Sequence, residues 1–341
     1  MADSKTMIHP RIFWIDVVKF LAIFMIIHAH VLYIASQDAE DDVTCSMDFL
    51  YGNSIVASLG VPLFMMVSGA LLFEKHFRTW SDIFTFYRNN LLPLFVTAEI
   101  WIAGYCLITQ RPFSMQELLL CMALAHKPEV HLWYVRVIVM YYLAVPFLNI
   151  LRLRYKCIFI FLLLAVTSFT FVYNGWLILT GDACPTSPSR SYFCYIVYMT
   201  IGWWIRKVGI TRERLILAFS SMMLSGIILF LSLMETDYFL WYDNPLLAVA
   251  AISLFYIIKT LPTATVNKNI NKWISEISKM SYGIYLSHFL LVYVVGVLME
   301  FCGCNELCIY VSLVVLVIVN AALITMMKRI LPRISKIFFR Y

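Results

Sequence analysis

Three ionisable side chains in the stretch RIFWIDVVKFLAIFMIIHAHVLY, residues 11–33, have the types and the spacing to do chemistry: Asp16, Lys19 and His30. On a helix advancing about 100° per residue, Lys19 and His30 stand eleven positions apart, close to three turns, so they share a face about 16 Å apart along the axis. Asp16 lies on the same stripe, about 40° from His30, whereas His28 points to the opposite side. An imidazole titrates near neutrality and can act as general base toward a hydroxyl. A carboxylate and an ammonium below it make the stripe a polar path toward that base. The structural alternative is that Asp16 and Lys19 neutralise each other as an i,i+3 pair and His30 only hydrogen-bonds near an interface.

The element that carries this stripe is otherwise apolar, and so is the chain. Of 341 residues, 62% are hydrophobic and 13% charged, with a mean hydropathy of +0.82. That leaves too little polar surface to cover a water-soluble globule. The composition indicates an all-α, polytopic membrane protein, because a lipid-embedded span must satisfy its backbone hydrogen bonds internally. Apolar runs of about the length that crosses ~30 Å of hydrocarbon predict about ten transmembrane helices, at roughly 12–35, 50–73, 91–109, 132–150, 157–176, 191–205, 215–234, 244–261, 281–301 and 307–327. They form a single transmembrane domain with no soluble domain, and the first span is expected to stay in the membrane rather than be cleaved.

Loop charge orients the spans. About 21 of the 26 basic residues fall on the side of the N-terminus, which the positive-inside rule assigns to the cytoplasm. Both termini are then cytoplasmic. The opposite face has only Arg111, Lys127 and Arg190 and begins with the acidic loop SQDAEDDVTCSMD. Only Lys19 and Arg136 remain as basic residues within spans. A charge there costs at least about 2.5–3.5 kcal/mol on insertion scales, so it faces a partner or a watery path. Cys106, Cys121, Cys157 and Cys194 lie in or near spans and read as small packing residues. Cys45, Cys184, Cys302, Cys304 and Cys308 lie in or beside external loops, where a disulfide such as Cys45 to Cys184 is allowed. No spacing pairs cysteines with histidines as a metal set. Tryptophans near span ends, among them Trp203, Trp204, Trp241 and Trp273, read as interfacial anchors.

The residues also carry a resemblance. RIFWIDVVKFLAIFMIIHAH is similar to the first span of the acyltransferase family 3 integral-membrane enzymes, in which a basic residue precedes the essential histidine with ten residues between, as Lys19 precedes His30. Four further stretches resemble the family in order: GVPLFMMVSGALLF with Ser68 and Gly69, FYRNNLLPLF with Arg88, HLWYVRVIVMYYLAVPFL with His131 and Trp133, and SKMSYGIYLSHFLLVY with Ser281, Tyr285 and His288. Lysine replaces the more usual arginine in the first, Arg88 stands alone where relatives often have a cluster, and Arg136 occupies a place expected to be neutral. No hydrolase-like extracytoplasmic domain follows the last span.

The resemblance implies a membrane O-acyltransferase of the inner (cytoplasmic) membrane. It would move an acyl group, commonly acetyl, from cytoplasmic acyl-CoA to a hydroxyl of a glycan or glycolipid outside. Acetyl-CoA is then a co-substrate, no cofactor is permanently bound, no metal is needed, and the partners are acyl-CoA, the acceptor and membrane lipid rather than nucleic acid. Under this reading His30, Lys19 and Asp16 are catalytic, and Arg88, Lys19, Ser68 and His288 bind acyl-CoA. Trp133, Arg136 and His131 are the acceptor or oxyanion candidates, with Ser68 a further oxyanion donor. Arg152, Arg154, Arg206, Arg212 and Arg214 offer further cations to phosphate. His30 either takes the acceptor's proton directly or is itself acylated. A transporter or flippase of a polar or lipid-linked substrate, using the Asp16, Lys19 and His30 seam, is the alternative function, although the sequence has no inverted repeat.

Overall fold

The computed structural model describes residues 11–37, 45–109, 114–126, 129–180, 192–235, 240–261, 267–302 and 305–340, and these contain helices and no strands. The helices are α1 (Phe13–Gln37), α2 (Met47–Ser58), α3 (Gly60–Leu72), α4 (Trp80–Phe86), α5 (Leu92–Thr109), α6 (Met115–Met122), α7 (Trp133–Arg154), α8 (Lys156–Thr167), α9 (Tyr173–Thr180), α10 (Cys194–Lys207), α11 (Arg212–Glu235), α12 (Pro245–Lys259), α13 (Lys268–Cys302), α14 (Glu306–Ile330) and α15 (Pro332–Phe339). Their starts follow from local chemistry. Ser46, Thr79, Ser114, Asn244 and Asn305 each accept a backbone N–H of the first turn, and Thr79 with Asp82 completes a capping box. A π-helical turn, Tyr87–Leu91, joins α4 to α5. Pro93, with no N–H to give and a ring that crowds the carbonyl four residues back, accounts for the widening.

Eight helical segments among the described residues are long and apolar enough to cross a membrane: Phe13–Ala35, Met47–Leu72, Trp80–Thr109, Val130–Arg154, Lys156–Thr180, Arg212–Glu235, Lys268–Val297 and Glu306–Ile330. The two remaining predicted spans are the shorter helices α10, of 14 residues, and α12, of 15. The second predicted span is two helices, α2 and α3, that meet at Leu59. The third begins eleven residues earlier than its apolar run because α4 and the π-turn extend it. Arg111, Lys127, Arg190, Cys184 and Cys304 lie outside the described residues, as do most of the acidic loop and His9.

Helix α1 lies inside the bundle, packed on α2, α3, α12, α13 and α14. Two glycines set the closest crossing. A Cβ at Gly69 of α3 would lie 1.9 Å from the Met199 carbonyl oxygen, and one at Gly202 of α10 would lie 2.1 Å from that of Met66. The two backbones therefore touch, the device by which small residues let helices associate in lipid. At the other extreme, α11 and the α8 to α9 segment have only 17% of their apolar windows buried and turn their side chains outward, as lipid-facing helices do.

Candidate active site

Opposite sides of α1 have different neighbours. His28 is buried against Tyr310 of α14, ring centroids 6.0 Å apart. His30 faces α13 and the start of α7, where it meets His288 at 5.1 Å, Phe289 at 5.4 Å and His131 at 6.1 Å. His131 and His288 are themselves 5.2 Å apart, so three histidines from three distant stretches form one cluster. Helix α13 supplies His288 from the face shared with Tyr285. The short 3-10 turn Val130–Leu132 supplies His131, whose ring plane is held by stacking on Phe289 at 4.6 Å and 17°. No group of three or more His, Cys, Asp or Glu among the described residues is arranged to hold a metal ion.

Hydrogen bonding fixes which nitrogens are free. His30 Nδ1 lies 2.8 Å from the Ile26 carbonyl, and His288 Nδ1 lies 2.7 Å from the Tyr285 carbonyl. A carbonyl only accepts, so in both neutral rings Nδ1 carries the proton and Nε2 keeps the lone pair. Nε2 of His288 and both ring nitrogens of His131 are buried with no hydrogen-bond partner among the described residues. Buried polar atoms without partners are rare and mark strain, function or a missing guest. His131 and His288 are buried, whereas His30 is half-buried.

At the other end of the stripe Asp16 is buried, but its partner is not Lys19. Arg11 folds back across the helix start to pair with it, with Nη2 to Oδ1 at 2.9 Å, and also donates to the Ser275 carbonyl at 2.8 Å. Ser275 and Ser278 of α13 donate to the same carboxylate at 3.1 and 2.7 Å. Asp16 thus ties α1 to α13, and no i,i+3 ion pair with Lys19 forms among the described residues. Lys19 is half-buried and makes no hydrogen bond or ion pair among the described residues.

Tyrosines fill the interval between the two ends. Tyr282 stacks near Tyr285 at 6.4 Å and donates to the Leu94 carbonyl at 3.0 Å. Tyr285 contacts Tyr134 at 5.6 Å and donates to the His131 carbonyl. The remaining candidates are dispersed. Trp133 sits in an aromatic group with Tyr134, Tyr195, Trp241 and Tyr242. Arg136 is half-buried without a hydrogen bond or ion pair among the described residues. Ser68 donates to the Phe64 carbonyl of its own helix at 3.0 Å, so its proton is engaged. Arg88 projects from the π-turn, exposed, beside Asn89.

Several basic residues offered to phosphate by sequence are spent on helix ends. Arg206 donates to the Ala70 carbonyl at 2.6 Å and Arg152 to that of Phe73 at 2.7 Å, both at the C-terminus of α3. Arg214 donates to Gly209 at 2.9 Å. Cations at C-terminal carbonyls offset the helix dipole, and Trp203, read as an anchor, lies under Arg152 at 4.2 Å. The sequence reading misses Arg11, Ser275, Phe289 and Tyr105, whose ring contacts His131 at 5.1 Å. The one available signal was a basic residue just before a helix start, a place where the dipole disfavours it unless an acid in the first turn holds it.

A family model described as an acyltransferase domain matches residues 12–326. Comparisons with curated proteins and with solved structures gave no significant match. The matched stretch contains four of the motifs, the first but for Arg11, and the histidine cluster, and the chain belongs to acyltransferase family 3, as a multi-pass membrane acyltransferase.

Proposed function

We propose that this protein transfers an acyl group, acetyl in the simplest case, from cytoplasmic acyl-CoA to a hydroxyl of a glycan or glycolipid at the outer face of the cytoplasmic membrane, with His30 as general base. The chain crosses ten times with both termini inside, so that the Arg11 to Lys19 end meets the donor and the histidine end meets the acceptor. The observation that carries the reading is the half-buried His30, whose Nε2 keeps its lone pair because Nδ1 donates to the Ile26 carbonyl, beside the unpaired ring nitrogens of His131 and His288.

The chemistry follows from that tautomer. Nε2 accepts the acceptor's hydroxyl proton as its oxygen adds to the thioester carbonyl. Collapse then breaks the C–S bond, and the proton passes from His30 to the departing thiolate. The Ile26 carbonyl stabilises the Nδ1–H of the transient imidazolium. The indole N–H of Trp133 and the guanidinium of Arg136 are the donors offered to the oxyanion, and His131 and His288 offer nitrogens to acceptor and donor. Lys19 draws the anionic donor into the seam.

Transfer of labelled acetyl from acetyl-CoA into the glycan fraction of membranes tests this, using wild type, His30→Ala and His28→Ala at matched expression. Transfer lost only with His30→Ala is the expected outcome. Wild-type membranes that consume neither acetyl-CoA nor another acyl-CoA, with acceptors supplied and the fold verified, would sink the reading in favour of a transporter.

A further inference from the structure

The turn that carries His131 begins at Glu129, whose backbone carbonyl accepts the Leu132 N–H at 3.2 Å. A side chain at the head of a turn can bond the turn's own backbone, but the Glu129 carboxylate does not. It is buried, with the residue 6% exposed, and reaches α13 instead. There the Tyr293 hydroxyl donates to its Oε2 at 2.8 Å. Among the described residues that is the one hydrogen bond this carboxylate accepts, and no Lys, Arg or His pairs with it. A carboxylate accepts about four hydrogen bonds, and withdrawing one from water is costly unless cations or donors surround it. Glu129 therefore has room for further donors that the described residues do not fill.

Its place follows from the register of α1 on α13. The two helices run side by side in one direction. Asp16 meets Ser275 and Ser278, His30 meets His288 and Phe289, and Ile34 meets Gly296, where an added Cβ would lie 3.1 Å from the Ile34 Cγ2. Tyr293 falls between the second and third of these levels, about one turn beyond Phe289, whose ring it contacts at 5.2 Å. Phe289 in turn stacks on His131 at 4.6 Å and meets His30 at 5.4 Å. Two ring contacts thus join the carboxylate to the histidine cluster, at the end farther from Asp16, and the tyrosine that holds it is exposed. In the same cluster His131, 1% exposed, has both ring nitrogens unpartnered. A guest rich in hydroxyls satisfies both kinds of group, since a hydroxyl donates to a carboxylate and either donates to or accepts from an imidazole.

We infer that Glu129, held by Tyr293, is an acceptor-binding residue: it accepts hydrogen bonds from hydroxyls neighbouring the one that reacts, and its charge selects neutral, polyhydroxylated acceptors over anionic ones. Like charges brought together out of bulk water repel strongly, which sets the direction of that selection. The inference rests on the glycan-acceptor reading above and adds the class of acceptor to it.

The test is transfer of labelled acetyl from acetyl-CoA by the full chain in nanodiscs, with the neutral and the acidic envelope glycans of the native cells, separated by anion exchange, as acceptors. Wild type, Glu129→Gln and Tyr293→Phe are compared, with folding followed by thermal melting and the KM for acetyl-CoA measured in each. Glutamine keeps an oxygen for the Tyr293 hydroxyl and loses the charge. Wild type is expected to favour the neutral fraction. Glu129→Gln is expected to raise the half-saturating amount of neutral glycan about tenfold, as for a lost hydrogen bond to a charged group, to leave the KM for acetyl-CoA unchanged and to narrow the preference over acidic glycan. Tyr293→Phe, which leaves the carboxylate in place but unheld, is expected to do so less. Equal half-saturation in wild type and Glu129→Gln overturns the inference while leaving the acyltransferase reading intact. A Glu129→Gln chain that melts early and raises both constants alike shows a structural role and overturns it too, and wild type that favours acidic glycan overturns the selection. Wild type that modifies neither fraction removes the glycan-acceptor reading and the inference together.

Discussion

At the residue scale, three histidines meet, two of them buried and His30 half-buried. Replacing His131 by Phe keeps a ring against Phe289 and removes both unpaired nitrogens. His288→Gln keeps a donor for the Tyr285 carbonyl and removes Nε2. Both variants are expected to fold, to keep measurable transfer and to raise KM for one substrate. His30→Ala is expected to lower kcat by about 10²–10⁴, the range for loss of a general base. Steady-state kinetics with acceptor and acyl-CoA varied separately distinguish these outcomes. Asp16→Asn leaves Arg11 without its counter-charge and weakens the bonds from Ser275 and Ser278. A loss of about 2 kcal/mol is expected, read as a lower melting temperature, with Ser278→Ala costing less. The rotation of α1 was legible in sequence, since angle along a helix is a local property, and it separates His28 from His30 as expected. The partner of Asp16 was not legible. Arg11 precedes the helix, so no periodicity applies to it, and the carbonyl that holds it belongs to Ser275, 264 positions away.

At the element scale, the contact between α3 and α10 decides whether the bundle closes. Gly202→Ala sets a methyl 2.1 Å from a backbone oxygen that cannot rotate away. The helices must separate, at a cost of about 1–3 kcal/mol. Gly104→Ala, where an added Cβ meets nothing within 4 Å, is the matched control, expected to be neutral or slightly stabilising. Thermal stability of the purified variants checks both. Length and hydropathy made the long helices visible because lipid demands both. They left the break at Leu59 hidden, since it does not interrupt the apolar run, and the π-turn at Tyr87–Leu91 hidden because its polar residues precede that run. They also hid α15, which is too short and too polar for a span and owes its place to α5 side chains that donate to its carbonyls only after folding.

At the scale of the whole molecule, the number of crossings rests on α10 and α12, whose 14 and 15 residues reach only about 21–22 Å at 1.5 Å per residue. Short helices can still cross where protein rather than lipid surrounds them, because their ends need not meet hydrocarbon. The proposed ten crossings require that these do, and contacts at both ends support the proposal. At the N-terminal ends, Trp133 of α7 stacks on Tyr195 of α10 and on Tyr242, just before α12. At the C-terminal ends, Lys259 of α12 donates to the Ile205 and Arg206 carbonyls of α10 at 2.7 and 3.2 Å, Arg206 reaches α3, and Arg152 of α7 covers Trp203 of α10. Helix α10 therefore meets α7, itself within a 25-residue candidate span, near both of its ends, and α12 packs beside α10. Cysteines placed singly at the exposed Met47, Ile210 and Leu261, in a chain freed of its own reactive thiols, test this with a membrane-impermeant maleimide on intact cells. Met47→Cys is expected to label, and Ile210→Cys and Leu261→Cys only after permeabilisation. Labelling of Ile210→Cys from outside would mean that α10 does not cross, and labelling of Leu261→Cys alone that α12 does not. In the second case α15 would face away from the cytoplasm.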